Sequence, residues 1–334
     1  MGFDNLIGNN RVKKILKAYI KLKKIPQSLI FYGNLQSYLL EFAKSFVKAL
    51  NCTEKEDDFC NNCQNCRAIE EERFLDSFFL RPEGVYYKKE SVLKIIEESK
   101  KRPYSSDYKV FTFFNAHRMN INSANSFLKV LEESLETNIF ILITNNIKNI
   151  LPTIKSRCQI ITFSKLTLGQ TSSYLQKMGY TKEQADLLAR LSEGNFESLI
   201  SQDFNTLMSK RVKVLSDIEK LLKRTHVEDI LLGLYSKTKG GRKDFVEEFK
   251  QVVNLISFFL RDIMLFKING NSEMLINIDY KDKLKELSEY ISLEKVIFLI
   301  KSMELLFRDI ERNLNTKVLS LKFIESFTTG DYNV

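Results

Sequence analysis

The sequence predicts three consecutive parts: an α/β domain on a parallel sheet over residues 1–165, a small helical segment over 166–207, and an all-helical domain over 208–334. Three observations predict this. In the first half, five short apolar runs alternate with amphipathic stretches, the pattern of a parallel sheet with right-handed crossovers and helices on both faces. The strand signal then stops near residue 166. Beyond residue 208, apolar residues recur every three or four positions, as one buried helix face requires.

Taken in order, the strands are expected at 28–32, 76–80, 109–114, 138–144 and 159–163, each apolar enough to be buried on both faces. Between them the helical period predicts helices over 10–22, 38–50, 91–100 and 123–133. The segment after 166 carries helical sets at 171–178 and 182–191, a turn at Ser192-Glu193-Gly194-Asn195, and one more helix. In the last part, Phe245, Phe249, Val252, Ile256, Phe259, Ile263 and Phe266 form one stripe. Val296, Leu299, Met303, Leu306, Ile310 and Leu314 form another. The clusters Lys239-Gly240-Gly241-Arg242 and Asn269-Gly270-Asn271-Ser272 are turn signals.

Composition bounds the class. With 44% hydrophobic and 28% charged residues, the 334-residue chain reads as an ordinary soluble globular protein. Its apolar runs fall far short of the ~20 residues of a membrane span. The N-terminus has no basic region followed by an apolar one, and Leu6 stands where a myristoylation signal needs Ser or Thr. A cytoplasmic protein without a membrane partner is expected. The net charge of +9 is compatible with a nucleic-acid partner. A Lys-rich genome would produce the same charge, and four prolines with no tryptophan point to such a bias.

Four of the five cysteines, Cys52, Cys60, Cys63 and Cys66, fall within fifteen residues as C-x7-C-x2-C-x2-C. Closely spaced thiolates can wrap one Zn²⁺ without a large core, and four of them leave no open position for catalysis. A structural zinc site in a module over 52–66 is expected. An iron–sulfur cluster or a redox C-x2-C pair would use the same residues. Disulfides suit a reducing compartment poorly.

The segment after the first strand stands where a phosphate-binding loop belongs. Such a loop needs backbone amides around the phosphates, a Lys reaching them and a hydroxyl on Mg²⁺, written G-x-x-x-x-G-K-[ST]. Here Gly33 opens the segment, but Tyr38 takes the second glycine's place, Leu39 the lysine's and Leu40 the hydroxyl's. The third strand fails in the same way. A Mg²⁺-binding carboxylate and a water-orienting one are needed at its end, and the sequence offers Phe114 and Asn115.

Residues 151–158 read Leu-Pro-Thr-Ile-Lys-Ser-Arg-Cys. With FDNLIG at 3–8, Phe31-Tyr32-Gly33 and SANSFLKVLEE at 123–133, the chain resembles the clamp-loader branch of the AAA+ superfamily. The match runs in order from residue 3 to about 165 and more weakly beyond. The triplet Ser156-Arg157-Cys158 resembles that branch's SRC motif, and the cysteines stand where its bacterial members carry zinc.

The resemblance implies a non-hydrolysing subunit of a bacterial DNA polymerase III clamp loader, with no ATP on this chain. It implies gamma/tau and delta subunits as partners in a hetero-oligomeric ring, a lid over 166–207 and an oligomerising collar over 208–334. Through the ring it implies a sliding clamp and primer-template DNA. Arg157 becomes an arginine finger, reaching in trans to the γ-phosphate on a neighbour. The resemblance also gives Thr144-Asn145-Asn146 the sensor-1 position, and Glu197, after Gly194, the place of a sensor-2 arginine.

Two other readings compete. An ATPase with an unusual nucleotide site would need compensating Lys and Asp residues that the sequence does not offer. A stand-alone zinc-containing DNA-binding protein would account for the charge and the cysteines. With only His117 and His226, a histidine-based triad has little material, and Cys158 reads as a small buried hydrophobe.

Overall fold

The apolar runs of the first half form five strands: β1 (Ser28–Tyr32), β2 (Ser77–Leu80), β3 (Lys109–Phe113), β4 (Asn138–Thr144) and β5 (Gln159–Thr162). All pair in parallel, in the order β2-β3-β4-β1-β5. The computed structural model describes residues 2–192, 197–200, 203–223, 242–268, 274–312 and 314–328, together with 225, 227 and 230. Gly194, His226, residues 239–241 and 269–272, and the side chain of Glu197 lie outside this set, so the expectations placed on them do too.

Helices cover the sheet: α1 (Asn10–Lys21), α2 (Gln36–Asn51), α3 (Gln64–Glu70), α4 (Lys89–Ser99), α5 (Ile121–Glu133) and the single turn α6 (Pro152–Lys155). This is a parallel α/β arrangement with a four-cysteine insertion between β1 and β2. The central strands β3 and β4 are buried throughout, with Phe111, Phe113, Phe140 and Leu142 packing against Phe127 and Val130 of α5. Burial of both faces fails at the sheet edges. β2 is only partly covered, and in β5 three of four residues are exposed, because each has a neighbour on one side only.

Two more helices, α7 (Leu168–Lys177) and α8 (Lys182–Ser192), follow β5, and Thr167 opens α7 with a capping box to Gln170. The described residues fall into two compact units, one running to Ala189 and including Glu197, where α9 begins, and the other comprising Arg190–Ser192 and everything from Ser198. The second unit is helical: α9 (Glu197–Ile200), α10 (Phe204–Leu222), α11 (Arg242–Ile268), α12 (Lys281–Glu289), α13 (Leu293–Glu311) and α14 (Thr316–Thr328). Both expected stripes face its core, with Phe249, Ile256, Phe259, Leu299 and Met303 buried.

Inside that core lies a polar knot. Arg211 is fully buried and forks onto Asp279 at 2.8 Å and 2.8 Å, with Asn277 Oδ1 at 3.0 Å. Asp262, also fully buried, accepts the N–H groups of Ile276 and Asn277 at 3.1 Å and 2.7 Å. A buried charge costs several kcal/mol unless it is paired and hydrogen-bonded, so each partner here requires the others. Among the described residues, no helix is long and apolar enough to cross a membrane.

Candidate functional site

The cysteine module follows directly from α2. Cys52 caps the end of α2, Cys60 lies in the loop, Cys63 is the N-cap of α3, and Cys66 sits in the first turn of α3. The four sulfurs lie within 4.8 Å of one another. A tetrahedral ion with metal–sulfur bonds of ~2.3 Å places its sulfurs ~3.8 Å apart, so a small contraction closes the set. Backbone amides already point at the sulfurs. Cys60 Sγ accepts from the N–H groups of Asn62 (3.3 Å) and Cys63 (3.2 Å), and Cys63 Sγ accepts from that of Cys66 at 3.4 Å. Such bonds stabilise thiolates and orient them. The donor set fits a metal ion.

The module also holds the start of the chain. Asp58 Oδ1 accepts the N–H of Phe3 at 2.9 Å, and the Phe3 and Phe59 rings meet edge to face at 5.4 Å. On its other side, Lys48 of α2 reaches Asn61 Oδ1 at 2.8 Å and Glu70 at 2.5 Å. Between α2, the module and the first residues lies a cavity of about 600 Å³, lined in part by Leu40, Glu41, Lys44, Lys48, Arg67 and Glu70. Lys44 is paired with Glu72 at 3.1 Å. Two of the cavity's cations are therefore already matched to carboxylates.

The start of α2, where the sequence fails the phosphate-loop pattern, is a packed interior. Tyr38 is 1% exposed, and its hydroxyl donates to the Ile7 carbonyl at 2.5 Å while accepting from Asn9 Nδ2 at 3.1 Å. Its ring packs against those of Phe42, Tyr174 and Phe163 at 5.0, 5.6 and 6.2 Å. Burial pushes the Tyr38 hydroxyl up to about 12. Leu39 is fully buried beside it. Gly33 keeps the turn tight: a Cβ there would come within 3.1 Å of Phe163 and 3.3 Å of Leu39.

The ends of the central strands meet nearby. Phe114 donates its N–H to Leu80, and its carbonyl accepts from the buried Tyr87 hydroxyl at 2.5 Å. Asn115 takes a left-handed backbone (φ 56°) and starts a short turn carrying His117. His117 Nδ1 lies 3.1 Å from Thr144 Oγ1, which also accepts the N–H of Asn146 at 3.0 Å. Burial, then the Arg118 charge, holds the imidazole below its ordinary pKa. The sequence reading gave Thr144 a place but did not foresee His117 as its partner.

The Ser156-Arg157-Cys158 triplet follows α6. Ser156 Oγ donates to the Thr153 carbonyl at 3.0 Å. Cys158 is half-buried against the sheet core, as read from sequence, and burial pushes its thiol up to about 12. Arg157 is exposed. Its Nη2 lies 2.8 Å from Glu132 Oε1 and its Nη1 donates to the Thr153 carbonyl at 3.2 Å. Neither Asp58 nor Glu132 was singled out from sequence, although Glu132 left a signal. With Glu133 it places negative charge in the last turn of α5, against the helix dipole, where a basic partner is called for.

Residues 8–167 match the family model described as "DNA polymerase III, delta subunit". The chain is 27% identical over 287 residues to the DNA polymerase III subunit delta' of Bacillus subtilis, with 83% of each chain covered. It is 27% identical over 328 residues to the gamma/tau subunit of Mycoplasma genitalium, covering 91% of this chain and 53% of that one. It thus spans about half the length of that relative. Among solved structures, the Bacillus subtilis DNA clamp loader delta protein aligns over 95% of this chain and 99% of that one, at 14% identity and a TM-score of 0.35. In sequence the chain is thus similar to bacterial DNA polymerase III subunits. Among these, it resembles the delta-prime subunit.

Proposed function

We propose that this chain is a delta-prime subunit: a member of a hetero-oligomeric clamp-loader ring that binds no ATP itself and lends Arg157 to ATP held by a neighbour. The observation that carries the reading is the contrast between this chain's own phosphate position and its Arg157. Where phosphates would sit, Tyr38 is buried and hydrogen-bonded into the core, and Phe114 and Asn115 offer Mg²⁺ no carboxylate. Arg157, in contrast, is half exposed. A guanidinium is always charged and forks onto phosphate oxygens, which suits it to a finger supplied in trans.

In this reading Ser156 and Cys158 hold the turn that carries Arg157, the first by its bond to Thr153 and the second by packing on the core. The cysteines Cys52, Cys60, Cys63 and Cys66 hold a structural Zn²⁺. Residues 166–207 act as a lid and 208–334 as a collar. The ring partners are gamma/tau and delta, and the assembly loads a sliding clamp on primed DNA in the cytoplasm.

Two measurements test this. Calorimetry of the purified chain with ATP and Mg²⁺ should detect no binding; micromolar binding would overturn the blocked-site reading. In a reconstituted ring, Arg157→Ala should lower ATP turnover at the neighbouring site by about 10³-fold or more, the range for fingers supplied in trans.

A further inference from the structure

Arg157 is already engaged within its own chain. Its two terminal nitrogens, the pair that would fork onto a phosphate, are both taken: Nη2 by Glu132 at 2.8 Å and Nη1 by the Thr153 carbonyl at 3.2 Å. A phosphate approaching that fork must displace the carboxylate, because both are anions seeking the same nitrogen. Glu132 is held ready by its place in the last turn of α5, where its charge opposes the helix dipole and the Arg157 guanidinium offsets it. Both side chains stay near half exposure, 44% for Arg157 and 52% for Glu132. Water therefore weakens the pair, and exposed pairs of this kind shift an equilibrium by about two- to fivefold.

We propose that Glu132 is a positioning residue that retains Arg157 while no neighbour is engaged and is exchanged for the neighbour's γ-phosphate when the finger acts. This rests on the finger reading above. The retention is weak enough to be displaced. Its consequence is a tax on ATP engagement: part of the binding energy of the phosphate is spent on breaking the pair to Glu132.

The test is the ATPase of a ring reconstituted with gamma/tau and delta, followed against ATP concentration for four forms of this chain: unaltered, Glu132→Gln, Arg157→Ala and both together. Glu132→Gln should lower the half-saturating ATP concentration about two- to fivefold and leave the maximal rate within about twofold. In the Arg157→Ala background the same change should have no effect. An unchanged or raised half-saturating concentration in Glu132→Gln would overturn the retention, as would a Glu132→Gln effect that survives without Arg157. A ring indifferent to Arg157→Ala would overturn the finger reading itself. The two failures are thus separable.

Discussion

The start of α2 and the turn at Arg157 lie in the same α/β unit and are built from opposite materials. The first is aromatic and sealed: Tyr38, Phe42, Phe163 and Tyr174 pack ring on ring, and the Tyr38 hydroxyl is satisfied. The second is polar and open, with Arg157 held only by an exposed carboxylate and one carbonyl. The difference teaches how unequally the fold depends on the two places. Tyr38 and Leu39 are core, so the fold depends on the residues at the start of α2. Nothing in the fold depends on Arg157 to that degree, so its presence calls for a reason other than stability.

Metal removal should break the comparison most strongly. The cysteine module fixes Phe3 through Asp58 and Phe59, and the segment that follows supplies the Ile7 carbonyl and Asn9 amide that hold Tyr38. Structural zinc in small peptides contributes about 10–16 kcal/mol of apparent binding energy, and on the zinc reading proposed above that energy would be coupled to local folding. Stripping with a chelator should therefore erase amide-exchange protection over residues 3–9 and in the first turns of α2. Protection in β4 and around 150–158 should persist. Uniform loss across the sheet would show that the module supports the whole unit rather than the blocked crevice.

Next in size is Tyr38→Ala. Truncating a buried aromatic leaves a cavity and typically costs about 3–5 kcal/mol. Tyr38→Phe keeps the packing but strands the Ile7 carbonyl and leaves Asn9 Nδ2 with the Ser164 carbonyl alone, at about 1–2 kcal/mol. Urea unfolding of the purified chain measures both. Writing Gly, Lys and Thr into positions 38–40 should destabilise the fold and still yield no turnover, since the end of β3 offers no Mg²⁺ ligand. A small cost for Tyr38→Ala would mean that the crevice can relax open.

How much of this the sequence carried depends on whether the signal was local. Strand and helix periods are local, so all five strands and the helices expected over 1–192 fall within a few residues of their places, whereas the short α3 and α6 carry too few turns to show a period and were not expected. The cysteine spacing and the failed phosphate loop are also local. Edge exposure of β5 was not readable, because burial depends on which strand lies beside it. Asp58 reaches across to Phe3 and Glu132 across to Arg157, contacts that only the fold creates. Arg211 was half legible: a charge on the stripe Leu207, Val214, Ile218 and Leu221 announces a buried partner without saying which.

Acid should weaken the link between α2 and the module by a smaller amount. Glu72 accepts both arms of Arg81 at 2.7 Å and pairs with Lys44, which together hold its carboxyl down to about 2, against the effect of burial. A carboxyl depressed on folding contributes stability above its unfolded pKa of 4.5, and that contribution is lost as pH falls from there towards 2. Arg81 is half exposed, so solvent screening reduces the contribution to about 1 kcal/mol. Glu72→Gln should flatten this part of the acid limb in unfolding curves between pH 5 and 2. An unaltered limb would assign it to other groups.

The smallest stability effect should belong to Arg157→Ala. Its pair with Glu132 is exposed on both sides, and surface substitutions of this kind stay within about 0.5 kcal/mol. The Thr153 carbonyl it leaves still accepts from Ser156 Oγ. The unfolding midpoint of the purified variant should therefore match that of the unaltered chain, while ring ATPase falls by orders of magnitude. That pairing of a silent fold with a lost activity is what separates a finger from a scaffold residue. If the midpoint drops as far as it does for Tyr38→Phe, Arg157 is holding its own turn together, and the contrast between a sealed site and an open one disappears.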